Sequence, residues 1–244
     1  MKRLIMVIIA LSLMTTAFAF DELWQKAQRI MDNSWRLVPG QTTITSRTLN
    51  NSGDVAVVAS DDTCPNTNRP RGGVGGVMQE SEIVISHARG GRGTIVSELV
   101  SSSGAQQMEI DARLDRDMTP QRESMFFETN NRNIQVTKLD ETKTINDVQT
   151  QAFSVSFTPR GERSATESKV WLCTTTGAPV LVEAQPPVNQ PMVNSVNRTT
   201  FYTFDAENNR AFTHREEFVT SISAMGMNIT NESVIVMEGH WEHR

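Results

Sequence analysis

The sequence predicts a mainly antiparallel β fold with one helix, an α+β domain. Three observations carry that expectation: a single stretch repeats its apolar side chains at helical spacing, the apolar period drops to two after Gly40, and reversal dipeptides separate the later runs.

The helix comes first. Phe20, Leu23, Trp24, Ala27, Ile30, Met31, Trp35 and Val38 recur at three- and four-residue steps, with Gln25, Lys26, Gln28, Arg29 and Asp32 on the other face. Asp21 and Glu22 suit its first turn and Arg36 its last, by the helix dipole. Pro39-Gly40 stops it. The polar face is not rich in Lys and Arg, so the stripe is expected to pack on a sheet rather than lie on a membrane.

Strands follow. Met108, Ile110, Ala112 and Leu114 alternate with Gln107, Glu109, Asp111 and Arg113, and Phe153, Val155 and Phe157 alternate with Ser154, Ser156 and Thr158. That is the pattern of antiparallel strands with one face buried and one wet. Further strands are predicted over 42–49, 55–59, 82–86, 94–100, 125–128, 134–139, 169–174, 179–183, 199–204, 211–219 and 233–241. Thr176-Gly177, Asn208-Asn209 and the stretch 226–228 mark reversals. Residues 61–80, 115–123 and 184–191, rich in Gly, Pro, Asn or charge, read as irregular connections.

Ahead of the helix stands an export signal. Lys2 and Arg3 precede an apolar run over residues 4–14, and Ala17-Phe18-Ala19 supplies a small-x-small cleavage pattern. Residues 1–19 are expected to be removed, leaving 20–244 as one domain in the periplasm or outside the cell, with no integral membrane segment. Cleavage removes two of the 23 basic side chains and none of the 28 acidic ones, so the net charge moves from −5 to about −7. That balance argues against nucleic acid as a partner. Cys64 and Cys173, the two cysteines, are expected to pair in an oxidising compartment. A bridge closing so long a loop contributes about 4 to 5 kcal/mol in the chain-entropy model.

No catalyst stands out. Gly72, Gly73, Gly75 and Gly76, then Gly90, Gly91 and Gly93, lack the Lys and Ser/Thr of a phosphate loop. Arg69, Arg71, Arg89 and Arg92 among them either grip an anionic head group or keep the loop solvated. Among the histidines His87, His214, His240 and His243, only His240 and His243 have metal-ligand spacing, and Glu238 or Glu242 is the sole local third ligand. No Gly-x-Ser-x-Gly elbow occurs. The expectation is therefore a protein that is not an enzyme, with no cofactor and no metal.

One helix and many one-sided strands imply a sheet that curls around the helix. Its apolar face either fills as a core or lines a cavity. The adaptable side chains of Met31, Met108 and Met125 and the aromatic set Phe153, Phe157 and Trp171 favour a lining. The expected ligand-facing residues are Trp35, Met108, Ile110, Phe153, Val155, Phe157 and Trp171.

Residues 147–157 (DVQTQAFSVSF) and 169–183 (KVWLCTTTGAPVLVE) complete the picture. Val170-Trp171-Leu172 runs into Thr176-Gly177-Ala178-Pro179, and with the N-terminal helix the chain resembles the periplasmic lipoprotein-sorting and lipoprotein-carrier superfamily. It departs from that pattern at Cys173 and Thr174, where an acidic residue is expected, and in the Gly/Arg stretch 69–93. The resemblance implies a strongly curved antiparallel β half-barrel with the N-terminal helix on its concave face. It also implies a lipid, or the acyl chains of a lipidated protein, as ligand, in outer-membrane lipoprotein or lipid sorting. The competing expectation is an envelope interaction or structural protein with a filled core, binding protein partners through its loops.

Overall fold

The computed structural model describes residues 22–50, 76–90, 94–104, 125–127, 131–188, 191–224 and 227–243. Helix α1 covers residues 22–32. Twelve strands follow in the described residues: β1 (Leu37–Val38), β2 (Gln41–Asn50), β3 (Gly76–Arg89), β4 (Ile95–Gly104), β5 (Asn131–Ile145), β6 (Val148–Pro159), β7 (Thr166–Cys173), β8 (Pro179–Gln185), β9 (Val193–Asp205), β10 (Arg210–Ala224), β11 (Met227–Glu238) and β12 (Trp241–Glu242).

Ten of them form one antiparallel sheet in the order β4-β3-β2-β11-β10-β9-β8-β7-β6-β5, and β1 pairs with β12 in a separate two-stranded ribbon. The large sheet is open. Its two ends, β4 and β5, do not pair with each other. Local chemistry sets the hairpins. Asn146 and Asp147 both take positive φ (47° and 64°) between β5 and β6, a two-residue reversal whose twist matches that of its strands. Asn209 (φ 48°) and Gly177 (φ 79°) serve the reversals the sequence marked between β9 and β10 and between β7 and β8.

The helix is shorter than its apolar stripe suggests. Ser34 Oγ donates to Ile30 O at 2.7 Å and accepts from Ala211 N at 2.8 Å, so a side chain ties the last turn to β10. The chain then leaves helical geometry. Trp35 consequently lies in the turn at 33–36, half-buried, with the Arg36 guanidinium 4.6 Å from its ring centre. Val38 stands in β1 opposite Trp241. Neither belongs to the helix.

Two other expectations change. Residues 125–126 form a turn instead of a strand, because Met125 and Phe126 spend their apolar surface on α1, where Trp24 stacks on Phe126 at 5.1 Å. Gly76–Glu80, expected to be irregular, opens β3 by pairing with β2. Cys173 is a free thiol in the described residues, and Cys64, its expected partner, lies outside them. Burial pushes the Cys173 thiol up, but hydrogen bonds with Thr176 and Thr175 outweigh it and leave its pKa below the ordinary value. The predicted strand 55–59 and the alternating segment with Met108 and Ile110 also lie outside the described residues.

The core sits between α1 and the β5–β10 part of the sheet. Trp24, Ala27, Ile30 and Met31 pack against Phe153, Val155, Phe157, Val170, Leu172, Val182 and Ala211. A second cluster of Ala152, Trp171 and Leu181 lies on the other side of the same strands, joined by Leu139, Ile145 and Phe201.

One buried and two half-buried histidines give the fold a pH dependence. His87 Nε2 lies 3.1 Å from Thr42 Oγ1 and its Nδ1 lies 2.8 Å from Ser97 Oγ, and burial holds its pKa below the ordinary value. Burial likewise lowers His214 and His240. As pH falls below about 6.5, the unfolded chain takes up these protons before the folded one does, so stability present above that pH is lost toward the lower folded values. The melting temperature is expected to be level above pH 7 and to fall between about pH 6.5 and 5. His87→Gln should flatten part of that slope. A midpoint constant from pH 7 to 5 would refute the assignment.

Candidate functional site

Directly opposed residues of an antiparallel sheet point to the same face, so the register assigns faces across the whole sheet. One row runs Phe153, Val170, Val182, Thr200, Glu216, Ile235, Ile44, Ile83 from β6 to β3. Phe153, whose ring centre is 6.1 Å from that of Trp24, places this row on the helix side. Burial changes along it. Phe153 and Val170 are fully buried and Glu216 nearly so, whereas Ile235, Ile44 and Ile83 are only half-buried. The reason is the reach of α1: its eleven residues span about 16 Å, and ten strands about 43 Å. Its contacts run to Phe126, to the β7–β8 turn and to the β9–β10 turn. The apolar face thus continues from a filled core onto an open isoleucine floor.

A second row lies beside the first: Val155, Ser168, Ala184, Arg198, Phe218, Ser233, Ser46, Ser81. Small and hydroxyl-bearing side chains prevail. Ser46 Oγ and Ser233 Oγ lie 3.0 Å apart. Arg198 forms an ion pair with Glu216, which also accepts a hydrogen bond from Thr200 Oγ1 at 3.4 Å, and the Arg198 guanidinium stands 5.5 Å from the Phe218 ring centre. The carboxylate is underneath and the cation on top: the Glu216 side chain is 9% exposed and that of Arg198 43%. Tyr202 is half-buried as a residue, but burial of its phenol, against the opposing pull of Arg198, pushes its pKa up to about 12. It is a neutral hydroxyl at physiological pH.

Of the residues expected to face a ligand, Phe153, Val155 and Phe157 come together on the helix side, in the core with Trp24. Trp171 does not join them. The register opposes Ala152 to Trp171 and Phe153 to Val170, which turns the indole to the opposite face. There Trp171 Nε1 donates to Glu183 at 3.0 Å, and Lys143 and Lys169 stand 4.0 and 5.1 Å from its ring. Trp35 is in the turn after α1, and Met108 and Ile110 lie outside the described residues. The isoleucine floor was missed in the sequence. Its signal was available in the alternations Thr42, Ile44, Ser46 and Ile83, Ile85, His87.

A pocket of about 370 Å³ opens elsewhere, between the β9–β10 turn and the end of β11, lined by Leu37, Asp205, Arg210, Phe212, Met237, Glu238, Gly239 and His240. Arg210 Nε donates to Asp205 at 3.0 Å, and His240 packs on Phe212 with ring centres 4.3 Å apart. Among the described residues no three His, Cys, Asp or Glu side chains converge as metal ligands would, and no helix is long and apolar enough to cross a membrane.

No protein-family model matches the chain, and no curated protein matches it. Among solved structures it is similar to a DUF1329 family protein from Desulfovibrio piger ATCC 29098, at 8% identity over 91% of this chain and 92% of that one, with a TM-score of 0.31. It is also similar to a chain in the Pseudomonas aeruginosa MucA/MucB complex, at 8% identity over 91% of this chain and 99% of that one, with a TM-score of 0.25. Likenesses this loose carry no argument about function.

Proposed function

We propose that the chain is a periplasmic carrier or sensor, not an enzyme, that holds a lipid or the acyl chains of a lipoprotein on the helix side of its sheet. In this reading the open sheet curls into a half-barrel around α1, and the ligand continues the core over the part of the face that the helix leaves open. One observation carries it: the register row that is fully buried at Phe153 and Val170 passes the buried Thr200 and Glu216 and emerges as the apolar, half-buried Ile235, Ile44 and Ile83. Burying ten methylenes there contributes about 8 kcal/mol, the scale of a micromolar Kd before the cost of immobilising the ligand.

The wild type is expected to take up a fluorescent fatty-acid probe, and gentle purification followed by native mass spectrometry to find co-purifying lipid. Ile44→Asp should weaken probe uptake at least tenfold while keeping the fold, because its surroundings are half open to water. A wild type that takes up no probe ends this reading.

A second reading draws on the closed end of the same face. Phe153, Val155 and Val170 are 0% exposed and packed on α1, which fits an envelope interaction protein with a filled core that binds a protein partner through its loops. It predicts a clean apo mass and a protein recovered with the chain in pull-downs.

A further inference from the structure

We infer that the ligand is an amphiphile with an anionic, phosphate-type head group, seated at Arg198 beside the apolar floor. This rests on the lipid-binding reading and names the chemistry of the ligand's polar end.

Charge on the helix side is placed differently from charge on the other face. The opposite face carries a row of Lys169, Glu183 and Glu217, and another of Glu232, Arg47 and Glu80. In the two rows that cross the middle of the helix side from β6 to β3, the charged residues are Arg198 and Glu216, and Lys138 extends the first row on β5, opposite Phe153. An exposed guanidinium above a buried carboxylate presents positive charge outward, so an arriving anion meets the cation first. Arginine matches phosphate oxygens in pairs, and its stacking on Phe218 limits the freedom such binding would cost.

Ser168 is the independent second observation. It is 6% exposed and on the same row as Arg198, yet its Oγ has no hydrogen-bond partner. A buried hydroxyl without a partner is costly, and one facing a ligand waits for an acceptor. The residue between Ser168 and Arg198 is Ala184, a small side chain half-buried against the core, so the two polar residues stand two strands, about 10 Å, apart on one row. Hydroxyl and guanidinium together make a seat for oxygens, and the neighbouring row carries the half-buried Ile235, Ile44 and Ile83 beyond Glu216 for the chain attached to them.

The test compares 1-oleoyl-lysophosphatidate with 1-oleoylglycerol, which share their acyl chain, by displacement of a bound fluorescent fatty acid. The wild type is expected to bind the lysophosphatidate at least tenfold more tightly. Arg198→Gln alone strands a buried carboxylate, so the decisive variant is Arg198→Gln with Glu216→Gln, which should abolish that preference, read as the ratio of the two lipid affinities in the same variant. Ser168→Ala should weaken lysophosphatidate binding several-fold without lowering the melting temperature, since no internal hydrogen bond is lost. Equal affinity for both lipids in the wild type, or a preference that survives the double variant, overturns the anionic seat and leaves the apolar reading intact. If neither lipid displaces the probe, or no probe binds, both fail.

Discussion

Phe153→Ala is expected to destabilise the protein by about 3 to 5 kcal/mol, the usual cost of truncating a fully buried phenylalanine. The ring has no exposed edge, touches the tilted indole of Trp24 from α1, and opposes Val170 on the next strand, so little can collapse into the space it leaves. A drop of this size corresponds to roughly 6 to 20 °C in the melting temperature of a domain of this length. Urea melts of the single and paired variants locate the effect. Trp24→Ala should couple to Phe153→Ala by about 0.5 to 1.5 kcal/mol, as aromatic neighbours do. Trp171→Ala should add to Phe153→Ala within about 0.5 kcal/mol, because the two rings occupy opposite faces. Strong coupling of Phe153 to Trp171 and none to Trp24 would overturn the register.

Gly177→Ala is the second large effect, at least about 2 kcal/mol. Gly177 holds φ at 79°, where an L side chain costs roughly 1 to 2 kcal/mol. A methyl group there would also lie 2.7 Å from Lys26 Cβ and 3.3 Å from Leu23 O, so α1 would have to move off the β7–β8 turn. Gly161 is the control: it too has positive φ, at 94°, but an added methyl group meets nothing within 4 Å. Gly161→Ala therefore reports the backbone cost alone, and the excess at Gly177 measures the contact between turn and helix. Equal losses at the two positions would mean that the turn does not seat the helix.

Much of the fold was legible before any coordinates. Period-two alternation found β6, the Thr-Gly and Asn-Asn pairs found two of the hairpins, and the stripe Leu23, Trp24, Ala27, Ile30, Met31 found the helix and its buried face. Each of these signals is local, written in residues that touch within a turn or alternate along one strand. The errors occurred where a distant partner won. Met125 and Phe126 have the composition of a strand but are claimed by Trp24, and Trp35 and Val38 continue a helical spacing that the Ser34 contact with Ala211 cuts short. The Asn146-Asp147 reversal was readable from its residue types and was overlooked.

The candidate site was less legible than the fold. Alternation tells that Phe153, Val155 and Phe157 share one face and that Val170 and Leu172 share one, but not whether Trp171 lies with the first set or against it. That parity depends on the pairing of Phe153 with Val170 across the connection at 160–165, whose residues do not dictate its register. The same holds for Arg198 and Glu216, brought opposite one another's neighbours by a sheet register that includes a bulge between Thr213 and Arg215. By itself the sequence determined most of the described strands, where several of them turn and which helical face is apolar, because short-range sterics and burial period set those features. Only the tertiary structure decided which strand faces agree, how far α1 reaches across them and where the buried carboxylate of Glu216 meets the exposed guanidinium of Arg198, because those follow from register and packing between residues far apart in the chain.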